Sequence, residues 1–124
     1  MYKDHERAKH AFDSVNKTIA QLDNKKSEFK SWATKFPGML LTCGLLQTVA
    51  FYETKKDGKP VYKIFEEWLS KEVPQLNSDT DQFNLTQLIS KINDMEVYRF
   101  AFREAMAYGT WLKRAVSSLI PDKD

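Results

Sequence analysis

Chemistry needs side chains that can move a proton, hold a metal or attack a carbon, and this sequence holds few of them in useful arrangements. Its only histidines, His5 and His10, are five apart on one helical stretch. They diverge by about 140° and cannot share a metal as an i, i+4 pair does. Cys43 has no second cysteine to pair with; set in the most apolar stretch of the chain, it reads as a small buried hydrophobe rather than a nucleophile. Glu66 and Glu67 project about 100° apart, with no apolar pocket to raise a carboxyl pKa. There is no Gly-rich phosphate loop, nucleophile elbow or paired-His zinc motif. We expect no catalytic residue, no metal, no cofactor and no enzymatic activity.

The chemistry that remains is charge. The net charge is only +2, but its distribution is uneven. Residues 1 to 35 hold eight Lys/Arg against five Asp/Glu, and residues 98 to 124 hold five against three, while residues 60 to 97 hold three against seven. On the first helix Lys3, Arg7, His10, Ser14, Lys17 and Gln21 form a stripe without a carboxylate. On the last, Arg99, Arg103, Thr110, Lys113, Arg114 and Ser117 form a basic polar strip. Each is suited to following a phosphate backbone, and each is equally the wet side of an amphipathic helix. Glu66, Glu67 and Glu72 give the fourth helix an acidic exposed side, suited to a basic partner.

The elements that must position these residues read as helices. The stretch from Phe36 to Gly58 is apolar on nearly every side and is expected to be a central buried helix, entered at Pro37 and stopped by a left-handed Gly58. As a membrane span it falls short of the ~20 residues a bilayer needs. A first helix, Asp4 to about Leu22, shows Ala8, Phe12, Val15, Ile19 and Leu22 on one face. Ser27 is expected to cap a short helix bearing Phe29, Trp32, Ala33 and Phe36. A fourth helix from Pro60 carries Val61, Ile64, Phe65, Trp68 and Leu69 and stops before Pro74. Gln75 to Gln82 is a polar connector. Asn84 with Gln87, and Asn93 with Glu96, are cap signatures for the last two helices, the final one extending to about Leu119 or Ile120. Its core stripe is Tyr98, Ala101, Phe102, Ala105, Tyr108, Gly109, Leu112, Val116 and Leu119. Phe100, Ala107 and Trp111 make a further apolar strip, with Glu104 at its edge, which is either sandwiched within the fold or covered by another chain.

No strand pattern or internal repeat competes with these helices. The 124 residues, 42% hydrophobic with four Gly and four Pro, bound a single domain over 1–124: a compact all-α bundle of five or six helices around a central buried one. The charged N-terminus has no signal-peptide pattern, and a lone cysteine fits a reducing compartment, so a cytoplasmic location is expected. Two function classes stand: a helical module that contacts nucleic acid, and an adaptor that binds protein only.

Two stretches resemble a known family. Pro37, Met39, Leu40, Gly44, Leu45, Gln47, Ala50, Phe51 and Lys55, followed by Trp68-Leu69, resemble the central part of the small subunit of the type III-B CRISPR effector, the Cmr RNA-silencing complex. Tyr98, Arg99, Ala101, Arg103, Glu104, Ala105 and Trp111-Leu112-Lys113-Arg114 resemble its C-terminal signature. The resemblance implies an all-helical, non-catalytic protein for antiviral defence. Several copies would stack beside the backbone and large subunits and help cover guide RNA and target RNA. It carries Lys113 and Arg114, then Arg103, over as RNA-facing residues, while Lys55 matches but suits a helix end. With the two basic strips, the candidate RNA contacts are Lys113, Arg114, Arg103, Arg99, Lys3, Arg7 and Lys17, and the candidate protein interface is Glu66, Glu67, Phe100 and Trp111.

Overall fold

The computed structural model describes residues 2–77 and 82–122. The Ser78–Asp81 part of the expected connector lies outside them. Six α-helices are present, and no strand occurs among the described residues: α1 (Tyr2–Gln21), α2 (Lys26–Cys43), α3 (Leu45–Thr54), α4 (Lys59–Glu72), α5 (Leu85–Ser90) and α6 (Met95–Leu119), with a 3-10 turn at Pro74–Leu76 before α5. No described helix is long and apolar enough to cross a membrane.

The central element is α6. It packs along α1 and α2 and also touches α3 and α4. Ala101, Ala105, Tyr108, Leu112, Ala115 and Val116 are fully buried on it. Small residues at 101, 105, 109 and 115 let its neighbours approach closely. α2 runs antiparallel to α6: Lys30 Nζ donates to the Ile120 carbonyl at 2.7 Å at one end, and the Leu46 amide just beyond α2 donates to the Tyr98 hydroxyl at 3.3 Å at the other.

The stretch expected to be one buried rod, Phe36 to Gly58, is instead the end of α2 and the whole of α3. Pro37 does not start a helix but lies inside α2. It deprives the Ala33 carbonyl of its usual N–H donor, a cost of about 3 kcal/mol. Phe29, Ala33, Phe36 and Leu40, all buried on that helix, offset it, at about 1.5–3 kcal/mol for each large apolar side chain. The Phe36 ring stacks on Phe65 with centroids 3.8 Å apart. The break falls at Gly44, whose φ of 86° and ψ of 171° belong to a region open essentially only to glycine. Leu41 is 71% exposed and Phe51 38%, so the stretch is not covered on all sides.

Gly58 also differs from expectation. Its φ is −86°, and α3 has already ended at Thr54. Space there is tight: a Cβ would sit 3.1 Å from a Trp32 ring carbon and 3.1 Å from the Tyr52 carbonyl oxygen, so these neighbours would have to give by a few tenths of an ångström. Ser27 lies within the first turn of α2, whose cap residue, Lys25, makes no side-chain capping bond. The last helix is capped by Asp94 rather than Asn93, with Oδ1 accepting from the Glu96 amide at 2.9 Å. The Asn84/Gln87 capping box on α5 is present as read.

Gly44→Ala is expected to destabilise the chain by about 1–3 kcal/mol, seen as a lower urea midpoint at unchanged slope. Gly38→Ala is the control: nothing lies within 4 Å of the added methyl, and alanine is the better helix residue. Equal behaviour of the two variants would contradict the assigned role of Gly44.

Candidate nucleic-acid interface

The last helix presents its basic residues as expected. Arg99, Arg103, Lys113, Arg114 and Ser117 are exposed along one side, with Thr110 half-buried between them. From Arg99 to Ser117 the strip is about 27 Å long at 1.5 Å per residue. Arg99 Nη1 reaches Glu96 at 3.0 Å. The Arg114 guanidinium lies 4.8 Å from the Trp111 ring centroid, which holds it over an aromatic face. Thr110, Lys113, Arg114, Ser117 and Ser118 line a shallow groove.

The stripe on α1 is placed differently. The buried line of α1 runs through Ala11, Ser14 and Val15, rotated from the expected apolar face toward the basic residues, and it carries them into packing. Arg7 Nε and Nη2 donate to the two oxygens of Glu104 at 2.7 and 2.9 Å; Nη1 donates to Asp4 at 2.8 Å. Lys3 Nζ pairs with Glu72 at 2.6 Å and Glu6 at 3.3 Å. His10 Nε2 lies 2.7 Å from Glu67 and Nδ1 2.6 Å from the Tyr108 hydroxyl. A carboxylate can only accept, so Nε2 donates to Glu67. Of the basic residues expected to face RNA on α1, only Lys17 is exposed without a partner among the described residues.

Glu104, read as the edge of an outer strip, is the buried centre of this network at 4% exposure. Besides Arg7 it accepts from Trp68 Nε1 at 2.8 Å, and Trp68 stacks on Tyr108 with centroids 5.0 Å apart. Burial pushes the Glu104 carboxyl up, but the bonds from Arg7 and Trp68 outweigh burial and hold it below the ordinary glutamate value of 4.5. A depressed folded pKa gives stability that is complete above the unfolded value and is lost as pH falls through the folded one. The melting temperature should therefore drop more steeply between about pH 5 and about pH 3 than that of Glu104→Gln, which lacks this titration. Parallel curves would contradict the assignment.

The acidic and apolar candidates are also divided. Glu66 Oε2 accepts from the Leu85 amide at 3.2 Å, tying α5 to α4. Glu67 is exposed despite its bond to His10. Phe100 is 44% exposed. Trp111 is half-buried, its Nε1 reaching Asp4 at 3.4 Å, so α1 covers only part of that strip. Cys43 is only half-buried at the end of α2. Among the described residues no three metal-ligating side chains converge.

Sequence reasoning missed Glu104 and the lysines at 56, 59 and 63. The signal for Glu104 was a carboxylate at the edge of an apolar strip next to Ala105 of the core stripe, and its angular position alone did not reveal that α1 covers it.

The family model for CRISPR-associated protein (Cas_Cmr5) matches residues 3–119. No match to a curated protein is found. Among solved structures, a CRISPR-associated Cmr5 family protein from Thermus thermophilus matches with a TM-score of 0.71 at 22% identity, covering 94% of this chain and 99% of that one; at this identity the likeness speaks for the fold. With the helical bundle agreeing and the family model spanning nearly the whole sequence, the chain belongs to the CRISPR-associated Cmr5 family, the small subunits of the type III-B Cmr complex.

Proposed function

We propose that this Cmr subunit is a non-catalytic RNA-holding module of the cytoplasm. Several copies stack beside the backbone and large subunits, and each lays the α6 strip of Arg99, Arg103, Lys113 and Arg114 against the phosphates of guide or target RNA. One observation carries the reading: four exposed cations share one side of the longest helix, with no acidic residue between them along that line. Such a surface holds a strand by charge and shape and reads no base. Contacts with neighbouring subunits fall to Glu67, Phe100 and the outer edge of Trp111, with Glu66 contributing through the α4–α5 junction. Arg7 and Lys3 serve by holding α1 in place rather than by touching RNA. One copy binds weakly, and a row of copies gains by avidity.

A salt titration of the chain against a single-stranded RNA tests this. Four phosphate contacts give a slope of about −2.8 in log affinity against log salt. If the chain shows no salt-dependent RNA binding yet still enters the complex, the protein-only adaptor is the better reading.

A further inference from the structure

We propose a second phosphate-strand site between α1 and α4, a lysine groove formed by Lys17, Lys56, Lys59 and Lys63. Its occupant is a stretch of single-stranded RNA. That the strand is RNA rests on the function proposed above; that the groove takes a polyanion rests on the following geometry.

α1 and α4 run antiparallel, and their seam is read in steps. At the first step Lys3 meets Glu72 at 2.6 Å. At the next His10 meets Glu67 at 2.7 Å. Beyond Glu67 the alternation of base and acid stops. Ser14, Lys17, Thr18, Gln21 and Leu22 of α1 face Lys56, Lys59, Pro60, Lys63 and Ile64 across one groove. All four lysines are exposed, and none has a carboxylate partner among the described residues. The nearby acids lie on adjoining surfaces: Asp57 faces Lys25 at 4.0 Å, Glu28 shares its hollow with Lys56, and Asp13, close to Lys17, pairs with Lys9 at 3.5 Å. Glu67 closes the inner end and is already bonded to His10.

Like charges gathered in one groove repel, and an anion laid between them relieves the repulsion. Lysine ammonium groups act as mobile point charges, which suits the phosphate oxygens of a flexible strand. Lys59 and Lys63 stand one helical turn apart, about 6 Å along α4, a spacing that serves successive charges of one strand. The floor is Leu22, Pro60 and Ile64, without an aromatic ring on which a base could stack. The strand is therefore held by its backbone.

The test uses the full chain, a labelled oligouridylate and, separately, polyglutamate, with two double variants: Lys59→Gln with Lys63→Gln, and Lys113→Gln with Arg114→Gln. The groove variant is expected to lower the salt slope for RNA by about 1.4 and the affinity on the order of 50-fold at about 0.05 M salt. RNA affinity and slope unchanged in the groove variant, while the α6 variant weakens, would overturn the groove and leave the proposed function standing. The reverse pattern supports the groove and removes the α6 strip from that function. Weakening in both variants supports both sites. A groove variant that loses polyglutamate and keeps RNA makes the site one for acidic protein and overturns the proposal, as does a parent chain that binds no RNA.

Discussion

Arg7→Met is expected to cost about 3–5 kcal/mol of stability, the penalty for leaving one member of a buried ion pair without its partner. Glu104 is 4% exposed, and two of the three bonds it accepts come from Arg7, at 2.7 and 2.9 Å. With Met at position 7 the carboxylate keeps only Trp68 Nε1 at 2.8 Å. It must then remain charged in a poor environment or take up a proton. For a chain of this size the thermal midpoint should fall on the order of 10 °C. Adding Glu104→Leu should recover much of the loss, because an apolar pair of similar volume often matches a buried ion pair, although the Trp68 indole then loses its acceptor. If Arg7→Met melts within a degree or two of the parent, the network is not what holds α1 to α6. The same variant separates two roles for Arg7. A structural role leaves the RNA salt slope of the folded protein unchanged, whereas an RNA contact lowers it.

Lys113→Glu together with Arg114→Glu is expected to have the largest functional effect. Each cation removed from a phosphate takes about 0.7 from the salt slope, so the pair takes about 1.4, and at about 0.05 M salt RNA affinity falls on the order of 50-fold before added repulsion is counted. The fold should be untouched. Both side chains are exposed while Leu112, Ala115 and Val116 beneath them remain buried. Among the described residues the only interaction the substitutions remove is the stacking of Arg114 on the Trp111 ring, worth about 0.5–1 kcal/mol at an exposed site. Circular dichroism should show unchanged helicity, and assembled complexes should protect target RNA less well. Full protection by complexes carrying both changes would remove these residues from the RNA surface.

How far the fold was legible follows from particular residues. The stripe of α4, the capping box at Asn84 and the end of α6 near Leu119 were readable because each depends on neighbours within a turn or two of helix. Pro37 and Gly58 misled because local preference was taken as decisive. A proline is tolerated inside α2 where the helix's apolar face is buried, and Gly58 sits in a tight space beside Trp32 with an ordinary helical backbone angle.

The candidate site divides along the same line. Arg99, Arg103, Lys113 and Arg114 were legible because they share an exposed side of one helix, and helical periodicity alone brings them together. The roles of Arg7 and Lys3 were not, since a charge in a polar stripe looks the same whether it faces water or a carboxylate 97 positions away. The lysine groove was equally hidden, being assembled from α1, a turn and α4.

By itself the sequence determined that the chain is helical, where most helices lie, and which charges share a side of one helix. Tertiary structure alone decided which helix sits at the centre and which charges stay free. Periodicity states which residues share a side of a helix, but burial and pairing depend on what packs against that side, and that is settled only when distant segments meet.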